Sequence, residues 1–328
     1  MKLSTIHKSK TKKDFGKEKI ELLYEDEYLC VINKSSGLLS VPYPGSTVRT
    51  AQSVLEEILR KKGSLNKKHK PFVVHRLDRD TSGVMMFALS ENIQKKLMDN
   101  WHQIVTERLY RAVAENPHNK KFILPEQGLI DDELAFNAHN MGFVPKEGDI
   151  PKHKGEKDSI YERHIEGSGS NRRFKTVSAR THYKMIFIGP THTLFELELD
   201  TGKKNQIRAH LASKNYPLAG DENYRAKTDP FKRLCLHART LEFIHPVTNE
   251  KMKFEVPESQ TWLEYVKKGD PNAKTPIWIE QTRSNLQKED STFHKKQREQ
   301  KLNLGSKPLS RKQKSHMNFI EQGKIRKN

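Results

Sequence analysis

Cysteine is almost missing from this sequence: Cys30 and Cys235 are the only two in 328 residues. Two thiols are too few for a disulfide framework or a Cys-rich zinc site, and a reducing compartment fits them best. Long apolar runs are missing too. No stretch approaches the roughly 20 residues of a membrane-spanning helix. The opening "MKLSTIHKSKTKKDFGKEKI" carries positive charge but no apolar segment of secretory-signal length. A cytoplasmic protein without a membrane partner is expected. The 15 histidines form neither an HExxH pair nor a His/Cys ligand set, so no metal is expected. "EGSGSNRR" (166–173) fits neither a Walker loop nor a dinucleotide fingerprint, and no small-molecule cofactor is expected.

Negative charge is also short. Lys and Arg total 60 against 41 Asp and Glu, a formal charge of +19, which favours a polyanionic partner such as nucleic acid. The excess is concentrated at the ends: residues 1–20 carry a net +5 and residues 281–328 a net +9. Both ends lack apolar periodicity and are rich in Lys, Gln, Ser and Asn, a composition that buries too little surface to offset the entropy of ordering. Residues 1–17 and 281–328 are therefore expected to be flexible basic extensions flanking one domain at 18–275. Within that domain, 144–175 is polar, Gly-rich and weakly patterned, as in an insertion or long surface loop.

The remaining segments mix periods. "YEDEYLCVINK" (24–34), a turn at Ser35–Gly37 and "LLSV" suggest strand, turn and strand. "TAQSVLEEILRKK" (50–62) and "ENIQKKLMDNWHQIV" (91–105) have helical apolar spacing. "LFELELDTG" alternates Phe195, Leu197 and Leu199 with acids, the pattern of a strand with one wet face, and "LCLHARTLEFIHPVTNEKMKFEVP" (234–257) suggests a hairpin. Hairpins and helices without regular βαβ alternation predict an α+β fold with a mainly antiparallel mixed sheet flanked by helices and loops.

One stretch resists this reading. "VVHRLDRDTSGVMMFAL" (73–89) sets His75, Arg76, Asp78, Arg79 and Asp80 between two apolar segments. Were 73–78 extended, Arg76 and Asp78 would share a face. A carboxylate near the interior is costly unless paired, and arginine offers a charge that does not titrate away. From residue types alone, a structural ion pair and a reactive aspartate both remain open.

The order of several motifs adds to this. "HRLDRDTSG" (75–83) matches, at every fixed position, the His-Arg-Leu-Asp-x-x-Thr-Ser-Gly signature of the RluA-like family of RNA pseudouridine synthases, which this sequence resembles. "YEDEYLCVINKSSGLLSV" looks like that family's opening segment and "RLYRAV" (108–113) like its Tyr-containing strand. "LELDTGKKNQIRAHLA" (197–212) is similar to its Thr-Gly-x-x-x-Gln-Ile-Arg motif, and "YPLAGDENY" and "RLCLHARTLEFIHPVT" follow in order. Where the family commonly has Thr-His before the glutamine, this chain has Lys204 and Asn205.

The resemblance implies the pseudouridine synthase fold and a cofactor-independent isomerisation of uridine in structured RNA. It implies Asp78 as the essential carboxylate, acting as nucleophile or by starting elimination on the ribose. It implies Arg208 as the ion-pair partner of Asp78, and Tyr110 as an aromatic that stacks on the base and helps remove the carbon 5 proton. A uridine in folded RNA must be flipped out, with Arg76 or Arg79 as wedge or phosphate contact. His75, Thr81, Lys204, Asn205 and Gln206 complete the expected RNA-binding set. Ribosomal RNA is the favoured target, transfer RNA the other candidate, and a monomer is expected. The competing expectation is a noncatalytic RNA-binding or ribosome-assembly protein on the same scaffold.

Overall fold

The computed structural model describes residues 5–8, 20–145, 150–151 and 173–280. Most of the expected N-terminal extension, most of the 144–175 segment and all of 281–328 lie outside the described residues. The chain divides into two units, Met1–Pro276 and Ile277–Asn328. The elements named below belong to the first unit; of the second, only the helical residues 277–280 are described.

In chain order the strands are β1 (Thr5–Lys8), β2 (Ile20–Glu25), β3 (Leu29–Lys34), β4 (Phe72–Val73), β5 (Ser82–Ala88), β6 (Val105–Glu115), β7 (Gln127–Ile130), β8 (Ala135–Phe136), β9 (Gly142–Phe143), β10 (Ile150–Pro151), β11 (Arg173–Phe174), β12 (Thr181–Ile188), β13 (His192–Leu199), β14 (Leu236–Ile244) and β15 (Lys251–Glu255). The helices are α1 (Ala51–Lys62), α2 (Glu91–Asp99), α3 (Trp101–Ile104), α4 (Gln206–Ser213) and α5 (Gln260–Lys268). Eleven strands share one sheet, ordered β2-β3-β5-β14-β6-β13-β12-β7, with β4 on β5, β15 on β14 and β1 on β15. Within it only β5–β14 and β1–β15 are parallel. The expected α+β class with a mainly antiparallel sheet is the one found.

Two segments differ from expectation. Thr5–Lys8, inside the supposed flexible extension, pairs in parallel with Met252–Glu255; an open strand edge takes up backbone partners without needing apolar periodicity. "LLSV" forms no strand, only an isolated bridge from Leu39 to Thr50: its backbone carbonyls are taken instead by Lys34 Nζ (Leu38) and by the first N–H groups of α1, Ala51 on Leu39 and Gln52 on Ser40.

The dense apolar run after the charged wedge has a direct cause: β5 is covered on both faces, and such strands lose their polar alternation. Met85 and Phe87 pack with Val54, Leu55 and Leu59 of α1, while Val84, Met86 and Ala88 pack with Leu97 of α2 and with Phe243 and Phe254. Each large side chain buried there contributes about 2–3 kcal/mol. In the other half of the sheet, Phe195 and Leu197 pack under Ile207 and Leu211 of α4, and Val113 and Leu194 pack with Trp262 and Val266 of α5. Neighbouring alternate positions of β14, Leu236 and Ala238, join the α4 and α1 clusters respectively, so both helices lie on one face of the sheet.

Local signals set the helix ends. Thr50 and Ser53 form a reciprocal capping box at the start of α1, and Gly63 (φ 76) ends it. The 91–105 segment breaks at Asn100 into α2 and α3. The two halves of the sheet meet at a seam of two residue pairs, His237 with Ser82 and Ala238 with Gly83. Gly83 has φ +116, and a Cβ there would lie 2.1 Å from the Ala238 carbonyl oxygen, so only glycine fits. Among the described residues no helix is long and apolar enough to cross a membrane.

Candidate active site

β4 stops at Val73, and residues 74–81 reach β5 as a loop, so the extended course considered for 73–78 is not the one taken. Its backbone is held by side chains instead of by a neighbouring strand. Ser40 Oγ donates to the Leu77 carbonyl (2.7 Å) and accepts from the Leu77 N–H (3.1 Å). Ser36 Oγ donates to the Asp80 carbonyl (2.7 Å), and Lys34 Nζ to the Arg79 carbonyl (3.0 Å). Lys34 is fully buried and also donates to the carbonyls of Leu38 (2.7 Å) and Ser35 (2.9 Å). Burial pushes its pKa down to about 7, against the opposing pull of Asp80 and Asp78. The Thr81 N–H donates to the Asp78 carbonyl (3.2 Å), closing the turn.

Arg76 and Asp78 do not pair. Arg76 is exposed, and the partners of Asp78 come from the start of α4. Asp78 Oδ2 accepts from Asn205 Nδ2 at 2.6 Å and from Arg208 Nη1 at 3.4 Å. The principal partner of Arg208 is Asp221: Nε donates to Oδ2 and Nη2 to Oδ1, both at 2.7 Å, a buried bidentate pair. The guanidinium also lies 5.0 Å from the Tyr224 ring centroid. Burial alone would lower the pKa of Arg208; the hydrogen bonds and charge of Asp221, with the charge of Asp78, raise it instead, so the group stays cationic. Asp221 went unrecognised in the sequence. It sits in "YPLAGDENY" behind the left-handed Gly220 (φ +77), where nothing in the pattern marks one acid as buried.

Gln206 fastens the loop before α4. Its Nε2 donates to the Arg180 carbonyl (2.8 Å) and Thr181 Oγ1 (3.0 Å), and its Oε1 accepts from Thr201 Oγ1 (2.8 Å) and the Lys203 N–H (3.0 Å). Asn205, the N-cap of α4, has φ 57, a left-handed conformation that asparagine tolerates better than most residues.

These two walls enclose a cleft of about 380 Å³ whose lining includes Asp78, Tyr110, Asn205, Arg208 and Leu236. Tyr110 rises from β6 and packs against both the α1 and α4 clusters; burial pushes its phenol pKa up, which keeps the hydroxyl protonated. A carboxylate with one oxygen tied to donors, lining the same cleft as a phenol, is equipped to act on a sugar carbon and on a base.

The expected RNA-binding residues separate into groups. Arg76 and Lys204 line the cleft and make no ion pair among the described residues. His75 and Thr81 line it too, but His75 Nε2 accepts from the Met86 N–H (3.0 Å) and its ring lies 5.0 Å from that of Trp101. Burial pushes the His75 pKa down to about 3, so it is neutral. Gln206 directs its amide into the protein, Asn205 directs its own to Asp78, and Arg79 folds onto Asp80 (3.1 Å), outside the cleft lining. Arg108 was missed as a site residue: it lines the cleft, donates to the Leu199 carbonyl (2.6 Å) and lies 6.0 Å from the Trp101 ring centroid. Its position in "RLYRAV", two before Tyr110 and on the same strand face, was the available signal.

The model of a family described as RNA pseudouridylate synthase matches residues 28–213, which contain Asp78, Tyr110, Asn205 and Arg208. The chain belongs to that family. It is 30% identical over 248 residues to an uncharacterized RNA pseudouridine synthase of Bacillus subtilis, covering 75% of this chain and 72% of that protein. It is 30% identical over 253 residues to ribosomal large subunit pseudouridine synthase D of Neisseria meningitidis serogroup B. That match covers 73% of this chain and 58% of the relative, little more than half its length. The solved human RNA pseudouridylate synthase domain containing 4 superposes with a TM-score of 0.54 at 21% identity, covering 74% of this chain and 90% of its own, and shares the fold. The pseudouridine synthase family and its RluA-like motifs thus agree. Among the described residues no group of three or more His, Cys, Asp or Glu side chains could hold a metal ion.

Proposed function

We propose that this pseudouridine synthase isomerises specific uridines in structured RNA, with Asp78 as the essential carboxylate, Tyr110 as the aromatic against the base and Arg208 as the cation beside Asp78. The observation that carries the reading is the placing of Asp78, tied on one oxygen to Asn205 and Arg208, in a cleft that Tyr110 also lines. The chemistry cleaves the bond from ribose carbon 1′ to uracil nitrogen 1, turns the base and rejoins it through carbon 5. It needs no net oxidation, and it needs a cleft that keeps the detached uracil in place.

The target uridine enters by flipping out of its helix, a step costing a few kcal/mol that contacts to the flanking RNA offset. Arg76 and Lys204 on the cleft lining are suited to phosphate, and the basic segments 1–17 and 281–328, flanking a catalytic domain at 18–275, add salt-dependent affinity. Ribosomal RNA is the favoured target, because a relative of 30% identity bears the name ribosomal large subunit pseudouridine synthase D; transfer RNA is the second choice. The protein works in the cytoplasm as a monomer.

The test is to map pseudouridine in RNA from a deletion strain, then from that strain carrying the wild-type gene or Asp78→Asn. Wild type restores the lost positions, whereas Asp78→Asn lowers their formation by roughly a thousandfold or more. A folded Asp78→Asn protein that restores every position overturns the assignment.

A further inference from the structure

We propose that Asn205 is a positioning residue: its side-chain amide holds Asp78 Oδ2 at the wall of the cleft and so presents Oδ1 to the ribose of the target uridine. The inference rests on Asp78 as the reacting carboxylate. Asp78 Oδ2 takes both hydrogen bonds, at 2.6 Å from Asn205 and 3.4 Å from Arg208. Among the described residues no hydrogen bond reaches Oδ1, and the side chain lines the cleft. The two carboxyl oxygens are therefore not equivalent, and the shorter bond of the pair comes from the neutral partner.

The charges explain why a second donor is needed. Arg208 faces two carboxylates, and its bidentate pair with Asp221 at 2.7 Å leaves Asp78 the longer, single contact. One guanidinium does not neutralise two acids. The Asn205 amide supplies a donor without changing the local charge, so the carboxylate is oriented while remaining free to react.

The backbone around Asn205 allows little choice of direction. Its N-cap position in the left-handed region (φ 57, ψ 18) is held by the Gln206 N–H on the Lys203 carbonyl (3.1 Å) and by the Ala209 N–H on the Asn205 carbonyl (2.9 Å). Gly142 closes the other side: a Cβ there would lie 2.7 Å from the Lys204 carbonyl oxygen. The residue is 8% exposed, so it has little surface to offer RNA directly.

The experiment uses the full chain and, as probe, total RNA labelled with 5-tritiated uridine and taken from the deletion strain, since isomerisation releases the tritium on carbon 5. Wild type is compared with Asn205→Gly, which keeps the left-handed backbone but lacks the donor, and with Asn205→Asp, which sets a second carboxylate against Asp78. Asn205→His, which tolerates the left-handed region and retains an N–H, is the rescue variant. Under single turnover at saturating protein, Asn205→Gly slows tritium release by about tenfold or more while RNA affinity stays within about twofold. Asn205→Asp slows it further and moves the acid limb of the rate profile to higher pH, because two facing carboxylates share a proton. Asn205→His recovers most of the lost rate.

Wild-type bound rates in both Asn205→Gly and Asn205→Asp overturn the proposal. So does weakened affinity with an unchanged bound rate, which makes Asn205 an RNA contact. Failure of the underlying reading looks different: Asp78→Asn would then release tritium at the wild-type rate.

Discussion

The two walls of the cleft are built on opposite principles. The Asp78 wall is a loop gripped by its backbone: Ser40, Lys34 and Ser36 bond to the main chain of Leu77, Arg79 and Asp80, not to their side chains. The α4 wall is gripped by side chains: Gln206 makes four bonds across the 180–206 loops, and Arg208 is clamped to Asp221. On the first wall the gripping residues are constrained, while of the gripped ones Leu77 is buried with the α1 cluster and Arg79 and Asp80 pair with each other at the surface. On the second wall the residues that meet Asp78 are themselves the structural parts, so substitutions there damage stability and chemistry together.

The largest effect that would break this contrast is on the second wall. Asp221→Ala leaves Arg208 buried without its bidentate partner and is expected to destabilise by about 3–5 kcal/mol while abolishing tritium release, read by denaturant unfolding and the single-turnover assay. A loss of activity without a loss of stability would show that the two roles are separable.

On the first wall, Lys34→Met strips a donor from three carbonyls and is expected to cost roughly 2–3 kcal/mol. It also carries a pH signature. The pKa of Lys34 falls from an ordinary 10.5 to about 7 on folding. Between those values the unfolded chain holds a proton that the folded one has released, so this group makes stability rise with pH across the window and lose that increment as pH falls through about 7. Melting curves from pH 6 to 10.5 should show the rise in wild type and its absence in Lys34→Met.

Gln206→Ala is expected to destabilise by about 1–2 kcal/mol and to slow turnover more than it weakens RNA binding, because it loosens the backbone that carries Asn205. Equal effects on rate and binding would blur the distinction between walls. The smallest effect belongs to Arg79, whose ion pair with Asp80 lies at the surface: Arg79→Ala should change stability by less than about 0.5 kcal/mol. A larger change would show that this wall depends on a gripped side chain as well as on the gripped backbone.

The same contrast accounts for what the sequence disclosed. α1 and the β14–β15 hairpin were legible because their apolar residues repeat at the period of the element they form, and β5 because a strand covered on both faces is apolar throughout. The 74–81 loop was not, since a backbone held by serine and lysine side chains from residues 34–40 leaves no periodic trace. Asp78, Tyr110 and Arg208 were singled out through ordered motifs, and all three line one cleft. The buried pairing of Asp221 and the turn of Asn205 toward Asp78 depend on contacts 13 and 127 residues apart in the chain, which no local pattern encodes.

The narrow seam at Gly83 has a bearing on biogenesis. Asp78 stands just before that seam, and its partners Asn205 and Arg208 stand 127 and 130 residues further on, at the start of the helix that packs on the other half of the sheet. Closing so long a segment costs entropy before its contacts reward it, which places this step late in folding. A nascent chain with only its first half formed has the aspartate but none of its donors. On the role proposed for Asp78, catalytic competence becomes a readout of completed assembly, and a substitution at Gly83 is expected to silence the enzyme without altering any residue of the proposed site.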